Sequence, residues 1–294
     1  GTTMTKLATL TALAALLVAP ALAQAQAAGQ PIAIVAAENF YGDVAKQLGG
    51  PDVAVDSILN NPDQDPHLFE VSPSVGRHVS AARIVIYNGI DYDPWMEKLL
   101  HAARSANRRS IVVADLVGKQ TGDNPHIWYN PATMLALAQT LAAALIADDP
   151  GNAAGYRQRQ QRFEASMQPI QAKIAALRQR LAGTPVTATE PVFGAMFDML
   201  RMQVRGMPFQ MAVMNGTEPG ASDVAAFEND LKTQQVKLLV YNSQATDPIA
   251  ARMKQLAAAS HIPVVGATET EPQGKTYQEW MLAELDAVDR ALPE

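Results

Sequence analysis

Short runs of apolar, largely β-branched residues alternate with helical patterns along the chain from Pro31 onward. In the first half, the runs that predict buried strands are residues 32–37, 53–59, 84–88 and 111–116. The patterns that predict helices are residues 41–48, 73–82, 94–104 and 131–147. Strands that alternate with helices in this way predict a parallel sheet with helices on both faces.

A different pattern covers residues 153–182, which are rich in Gln, Arg, Ala and Leu. This stretch contains a single glycine, Gly155, and a single proline, Pro169. It predicts one long helix of about 45 Å, at a rise of 1.5 Å per residue. A coiled-coil arm is the alternative, but the apolar spacing is too irregular for one. A helix of this length would act as a rigid strut between two sheet-forming halves.

The alternation of strands and helices resumes beyond Gly183. The predicted strands are residues 186–189, 211–214, 238–241 and 264–267, and the predicted helices are residues 222–233, 247–260 and 277–292. We therefore predict an α/β fold of two lobes, residues 24–149 and 183–294, joined by the long helix of residues 150–182. Each lobe has a mainly parallel sheet. In such folds a ligand binds where the carboxyl ends of strands meet a crevice, here between the lobes.

The first residues predict an export signal rather than part of the fold. Lys6 precedes an apolar run at residues 7–22, and the end of this run overlaps Ala-Leu-Ala at residues 21–23. This order is typical of a secretory signal peptide, which we place at residues 1–23, with residues 1–3 as a cloning remnant. An uncleaved anchor helix is the alternative, but the run is short for a membrane span.

Composition narrows the class of protein. The net charge of -6 argues against nucleic-acid binding, which requires clustered Lys and Arg, and a mildly acidic protein is a suitable host for cations. The chain contains no Cys, so we expect no disulfides and no lipid attached to a Cys at the cleavage site. A soluble monomer that diffuses freely in the periplasm fits these features.

Two of the five histidines follow predicted strands and are each preceded by proline. His67 follows Pro66 after the second predicted strand, and His126 follows Pro125 after the fourth. Proline restricts the residue before it, so each imidazole would be presented from a fixed loop facing the crevice. We expect both to bind a transition metal, although two ordinary loop histidines are the alternative. The second ring nitrogens would be held by acidic side chains, with Asp63, Asp65 and Asp123 as the candidates.

Carboxylates at strand ends of the second half are the remaining candidate ligands. Glu190 follows the strand predicted at residues 186–189, and it is alternatively an acid that complements a helix N-terminus. Glu269 and Glu271 follow the last predicted strand, and one of them would complete a site of four residues. His78, His101 and His261 lie in or at the end of predicted helices, so we interpret them as structural or surface residues.

The sequence contains no metalloprotease helix motif, phosphate-binding loop, dinucleotide glycine pattern or nucleophile elbow. Candidate ligands spread over separate loops favour a clamp between lobes, so we expect no enzyme. Two alternatives stay open. One is a mononuclear metallohydrolase with Glu271 or Asp65 as general base. The other is a receptor of the same fold for a metal chelate or a small organic ligand.

With these residues in view, the chain resembles the zinc and manganese group of metal-binding solute receptors of bacterial ABC importers. Two motifs carry the resemblance: Asp-Pro-His-x-Phe-Glu-x-Ser-Pro at residues 65–73 and Asn-Pro-His-Ile-Trp-x-Asn-Pro at residues 124–131. The predicted strut helix and a match over essentially the whole mature chain add to it. The resemblance implies a periplasmic protein that carries one divalent ion to an inner-membrane permease driven by a separate ATPase. A second role in surface adhesion, as in adhesion-like members, is left open.

The same resemblance implies that His67 and His126 are metal ligands. It implies a third ligand at Glu190, in Thr-Glu-Pro-x-Phe-Gly at residues 189–194. The family's usual fourth ligand is an Asp, for which Glu269 is the counterpart here; Glu271 or water is the alternative. Two His with two carboxylates resemble the family's manganese or iron sites. Because a nitrogen and oxygen site binds Zn²⁺ more tightly than Mn²⁺ in any case, both Zn²⁺ and Mn²⁺ remain candidates.

Overall fold

Two four-stranded parallel sheets organise the residues that the computed structural model describes, residues 29–294. The predicted signal peptide lies outside these described residues. In the first sheet the strands are β1 (Ile32–Glu38), β2 (Val53–Leu59), β3 (Ile84–Tyr87) and β4 (Arg109–Val112), in the order β2-β1-β3-β4. Its helices are α1 (Asn39–Gly49), α2 (Pro73–Ala81), α3 (Pro94–Ala102), α4 (Val113–Leu116) and α5 (Pro131–Asp148). The predicted α/β fold with parallel sheets is thus confirmed.

Close contact between α1 and β2 fixes the edge of the first sheet. The strands β1 and β2 pair in parallel from Ile32 opposite Val53 onward. A β-carbon at Gly42 of α1 would collide with the side chain of Ser57, so the helix can approach the strand only because this residue is glycine. The carboxyl end of β1 is thereby held against α1, directly beside the loop that follows β2.

The predicted strand at residues 111–116 is wrong in its second half. The strand β4 ends at Val112, and the chain turns into the short helix α4, where the backbone N–H of Ala114 donates to the carbonyl of Asn88. Val113 and Ala114 are fully buried. A short apolar run that is buried on all sides has the same pattern in a strand and in a helical turn, which explains the error.

The second sheet contains β5 (Pro185–Ala188), β6 (Gln203–Val204), β7 (Leu239–Asn242) and β8 (Val264–Ala267), in the order β6-β5-β7-β8. Its helices are α8 (Gly194–Met199), α9 (Met207–Met214), α10 (Ala221–Lys232), α11 (Pro248–Ala259) and α12 (Tyr277–Ala291). The strand predicted at residues 211–214 is instead the end of α9. Gly206, with φ of 75°, and a proline in the first turn start this helix, and Phe209 and Val213 point from it into a small core.

The stretch predicted as one long connecting helix instead forms two consecutive helices, α6 (Ala153–Ser166) and α7 (Gln168–Leu181). They meet at Met167, two residues before Pro169. Proline has no N–H to donate to the carbonyl four residues earlier, and its ring crowds that carbonyl, so the hydrogen-bond pattern is interrupted here. Met167 and Ile170 are fully buried at the junction.

One principal hydrophobic core includes residues of both sheets and of α6 and α7. Phe40 of α1 stacks on Trp128 at 4.4 Å between ring centroids, and it lies 6.0 Å from Trp280 of α12. The chain from Pro31 to Glu294 forms one compact unit. The two sheets therefore share packing, and the lobe limits given above remain predictions.

Among the described helices, α5 is long and apolar enough to cross a membrane by length and composition. It also contributes Met134, Leu137, Leu141 and Leu145 to the principal core. The same test is passed by core helices, and the burial of these side chains explains the apolar character of α5.

Candidate metal centre

His67 stands on the loop between β2 and α2, residues 60–72, which we call the His67 loop. Asp65 caps the short 3-10 turn that carries it, because its Oδ1 accepts from the backbone N–H of His67 at 2.9 Å. Pro66 at the start of this turn fixes its backbone. The His67 side chain is 35% exposed, and its Nε2 lies 3.4 Å from Oε1 of Glu269.

His126 is fully buried on the segment that leads into α5. Its Nδ1 lies 2.7 Å from Oδ1 of Asn124. The orientation of that amide is fixed independently, since Asn124 donates from Nδ2 to the carbonyl of Pro191 at 2.8 Å. Oδ1 of Asn124 can only accept, so Nδ1 of His126 carries the proton. In the neutral ring the lone pair is therefore on Nε2, which has no hydrogen-bond partner among the described residues.

Glu269 is the point at which the candidate ligands meet. It follows β8, is fully buried, and presents Oε1 to Nε2 of His126 at 3.8 Å as well as to His67. Two donors hold its carboxylate: Nδ2 of Asn242 donates to Oε1 at 2.7 Å, and the Tyr92 hydroxyl donates to Oε2 at 2.7 Å. His67, His126 and Glu269 form a group whose ligand atoms all lie within 4.8 Å of one another.

Glu190 lies at the edge of this group, at the carboxyl end of β5, and is buried. Its Oε2 accepts from Nδ2 of Asn242 at 3.0 Å, the same nitrogen that donates to Glu269. The sequence therefore predicts four residues that the fold brings to one place, three of them as a tight cluster and Glu190 through a shared amide.

The charges of the cluster stabilise one another. A hydrogen bond to Glu269 raises the pKa of His67 to about 9, although burial of the ring works in the opposite direction. Burial would raise the pKa of Glu269, but the hydrogen bonds and attraction that the imidazoles of His126 and His67 supply in their protonated forms outweigh it and hold that pKa well below its usual value. Burial raises the pKa of Glu190. The cluster thus places an anionic Glu269 beside a protonated His67 at neutral pH.

The prediction that acidic residues hold the second ring nitrogens is wrong for His126, where neutral Asn124 does so. Asp123 accepts from the backbone N–H of Gln120 instead, at 2.8 Å, and Asp65 holds the backbone of His67 rather than its ring. The amide of Asn124 contacts two loops. It fixes the imidazole and bonds to the chain after Glu190.

Glu271 lies apart from the cluster. Its backbone N–H donates to Oδ1 of Asn39 in α1 at 3.0 Å, and Asn39 donates back to its carbonyl at 2.8 Å. Burial and the neighbouring Asp43 raise the pKa of the Glu271 side chain to about 10. Of the two carboxylates after β8, Glu269 therefore faces the histidines, and Glu271 joins the two sheets at α1. His78, His101 and His261 are exposed.

Sequence reasoning missed Tyr92, Asn242 and Gln244, which hold Glu269 from three directions. Oε1 of Gln244 accepts from the backbone N–H groups of Glu269 and Thr270 at 2.6 and 2.8 Å. Its Nε2 donates to the carbonyl of Gln64 in the His67 loop at 2.9 Å. Only their position in the sequence could have indicated Asn242 and Gln244. Asn242 ends β7 and Gln244 follows it, at the same sheet edge as the predicted ligands.

This arrangement is suited to holding a metal ion. A tetrahedron with metal–ligand bonds of about 2.0–2.1 Å has edges of about 3.3 Å. The separations of 3.4 and 3.8 Å from Glu269 to the two imidazoles are close to such edges. The donor set of imidazole nitrogen and carboxylate oxygen suits divalent transition metals.

Comparisons with known proteins agree with this chemistry. The sequence profile of a family described as zinc-uptake complex component A, periplasmic, matches residues 34–291. A putative metal-binding protein of Treponema pallidum is 23% identical over 285 residues, which cover 88% of this chain and 86% of the relative. The metal ABC transporter substrate-binding lipoprotein SsaB of Streptococcus sanguinis is 24% identical over 280 residues and 88% of each chain.

Solved structures share the fold. The periplasmic zinc binding protein TroA from Treponema pallidum matches with a TM-score of 0.76 at 17% identity, over 90% of this chain and 100% of that chain. A Mn-bound periplasmic metal binding protein from Candidatus Liberibacter asiaticus matches with a TM-score of 0.71 at 17% identity, over 90% of this chain and 100% of that chain. Both likenesses extend across the two sheets and the helices between them.

Proposed function

This chain belongs to the family of periplasmic zinc-uptake components, and on that premise we propose that it captures a divalent transition-metal ion for delivery to an ABC-type importer. The ion is cargo, so the protein acts as a receptor and not as an enzyme. Capture takes place in the periplasm. The partner is an inner-membrane permease with its ATPase, to which the loaded receptor docks as a monomer.

The unpartnered Nε2 of His126 carries this proposal. A buried polar atom without a hydrogen bond is costly, and native structures rarely keep one without a reason. Here Nε2 faces Oε1 of Glu269, the same carboxylate oxygen that His67 approaches. A cation at this point would bind both imidazoles and Glu269, and it would satisfy the orphaned nitrogen.

Glu190 is the fourth ligand in this proposal. Its carboxylate is buried and shares one amide nitrogen with Glu269, which keeps it beside the cluster. Two imidazoles and two carboxylates give a net charge of zero with a divalent ion. A neutral buried site is less costly than a charged one, which favours this set of four over the three-residue cluster alone.

The names of relatives support metal cargo. They include a manganese ABC transporter substrate-binding lipoprotein, PsaA, and an iron ABC transporter substrate-binding lipoprotein, MtsA, both from streptococci. Together with the zinc-uptake family they cover several divalent ions, so the cargo is proposed as Zn²⁺ or Mn²⁺.

Metal content tests the proposal. We expect one equivalent of Zn²⁺ or Mn²⁺ per chain when residues 24–294 are loaded, dialysed and analysed by inductively coupled plasma mass spectrometry. The double variant His67→Ala/His126→Ala should retain none. His78→Ala/His101→Ala, which removes two exposed histidines, is the matched control and should bind as the unmodified protein does. A protein that retains no stoichiometric metal after loading with either ion would refute the proposal.

A further inference from the structure

Asn242 is the residue between the two candidate carboxylate ligands. It is 5% exposed, at the carboxyl end of β7, and it touches both of them through a single nitrogen. Nδ2 donates one hydrogen to Oε1 of Glu269 at 2.7 Å and the other to Oε2 of Glu190 at 3.0 Å. An amide nitrogen has two hydrogens, so its donor capacity is fully used by these two residues.

The orientation of this amide is fixed by the backbone. Oδ1 of Asn242 accepts from the N–H of Gln244 at 3.0 Å, which forces Nδ2 toward the carboxylates. Gln244 is in turn held by the backbone of Glu269 and Thr270. The donor is therefore positioned before any ion binds.

The two carboxylate oxygens of Glu269 have different partners. Oε1, held by Asn242, faces the imidazoles of His67 and His126 at 3.4 and 3.8 Å. Oε2 is bonded to the hydroxyl of Tyr92 at 2.7 Å. Rotating the carboxylate so that both oxygens reach one ion would break or stretch both of these hydrogen bonds. The geometry therefore favours binding of an ion through Oε1 alone.

The number of available oxygens determines which ion fits best. Four single-atom donors suit the tetrahedral coordination of Zn²⁺. Mn²⁺ prefers more ligands and an oxygen-rich, octahedral shell, which carboxylates supply when they chelate through both oxygens. We propose that Asn242 is a specificity-determining positioning residue, which together with Tyr92 limits Glu269 to one oxygen for the ion and so favours Zn²⁺ over Mn²⁺. This inference rests on the proposed function of the same site.

Two substitutions separate this role from a structural one. Asn242→Asp keeps an oxygen that accepts from the N–H of Gln244, so the turn after β7 is preserved, but the donor to both glutamates is lost. Asn242→Ala loses the turn contact and the donor together. Asn88→Ala is the matched control, because Asn88 is a buried amide that bonds to the carbonyl of Pro125 beside His126 and contacts no candidate carboxylate ligand.

The measurement is the ratio of Zn²⁺ to Mn²⁺ affinity, obtained by competition titrations with each metal alone. We expect Asn242→Ala and Asn242→Asp to weaken Zn²⁺ binding by about 10- to 100-fold, the range seen when groups that orient metal ligands are removed, and to weaken Mn²⁺ binding less, so that the ratio falls. Asn88→Ala should weaken both metals by a similar factor and leave the ratio unchanged. Equal losses for both metals in the Asn242 variants, or an unchanged ratio, would overturn the inference.

The absorption spectrum of the Co²⁺-loaded protein gives a second readout that a merely structural role would not move. Four-coordinate Co²⁺ absorbs strongly in the visible region, whereas five- and six-coordinate Co²⁺ absorbs weakly. The unmodified protein should show the strong bands, and both Asn242 variants should show weaker ones. Weak bands in the unmodified protein would also overturn the inference. If the unmodified protein binds no metal, the proposed function fails; if it binds metal and the variants keep its ratio, only the role of Asn242 fails.

Discussion

His126 has the chemical form that a metal ligand needs before any ion arrives. Asn124 accepts from Nδ1 and is itself anchored to the carbonyl of Pro191, so the neutral imidazole with Nε2 free is the favoured tautomer. The hydrogen bond also fixes the plane of the ring. A ligand that is already oriented loses little freedom on binding. Asn124 therefore contributes to metal affinity without touching the ion.

Removing that orienting contact should weaken metal binding. We expect Asn124→Ala to lower Zn²⁺ affinity by about 10- to 100-fold, as measured by competition with a chromophoric chelator. Asn124→Asp keeps an oxygen acceptor for Nδ1–H and should lose less. An Asp variant that is as weak as the Ala variant would show that the bond to Pro191, and not the tautomer of His126, is the important contact.

His67 should make metal capture depend on pH well above the ordinary range of histidine. Its hydrogen bond to Glu269 raises its pKa from 6.5 to about 9, so the imidazole of the metal-free protein is protonated at neutral pH. An incoming ion must displace this proton, whereas Glu269, with its lowered pKa, has none to lose. Affinity should therefore rise with pH up to about 9 and level off above it.

Calorimetry in buffers of different ionisation enthalpy measures this displacement. Release of about one proton per ion is expected near pH 7.5, falling toward zero above the pKa of His67. The same contact stabilises the metal-free fold fully below pH 6.5, and that stabilisation is lost as pH rises through about 9. Affinity that does not change between pH 7 and 9 would contradict the assignment of His67 as a ligand.

At the level of secondary structure, His67, Glu190 and Glu269 each follow the carboxyl end of a strand, whereas His126 lies beyond the short helix α4 on the segment that leads into α5. The hydrophobic pattern predicts most of this: the strands at residues 53–59 and 264–267 have the predicted limits, and Glu269 follows the second of them. The two-residue strand β6 has too little pattern to be recognised, and α9 is apolar on most sides, so its period is hidden. Asn242 and Tyr92 were missed because their role depends on neighbours distant in sequence.

The helix α12 begins with a capping box that should be worth a measurable part of the stability. Oγ1 of Thr276 accepts from the N–H of Glu279 at 3.2 Å, and the Glu279 side chain accepts from the N–H of Thr276 at 3.3 Å. Thr276→Ala should lower the free energy of unfolding by about 1 kcal/mol in urea titrations. Thr233→Ala, at the exposed end of α10, is the matched control and should change it little. Metal stoichiometry should stay at one in both, and a loss of metal in Thr276→Ala would show that α12 positions the site.

Across the residues that the structure describes, the two sheets are joined by buried contacts in the shared core and by more exposed ones at the His67 loop. The Tyr129 hydroxyl donates to the carbonyl of Thr268, and the Tyr277 hydroxyl donates to that of Trp128, each at 2.7 Å within the shared core. The His67 loop is mostly exposed, and it is tied to the second sheet by the hydrogen bond from Gln244 to Gln64 and by the contact of His67 with Glu269. His126 and Glu269 thus lie on segments that are held in the core, whereas His67 lies on a more weakly held loop.

Metal binding should therefore order the His67 loop more than it moves the sheets, which hydrogen–deuterium exchange can measure. We expect Zn²⁺ to slow exchange in residues 60–72 strongly, because a bond from the ion to His67 is a firmer anchor than the contact of His67 with Glu269 that it replaces. Residues 124–131, already held in the core, should change little. In His67→Ala, Zn²⁺ should leave exchange in the loop unaltered even where the other ligands still bind it. Protection spread evenly over both sheets would instead mean that the two halves close on the ion as rigid bodies, and the loop would not be the moving part.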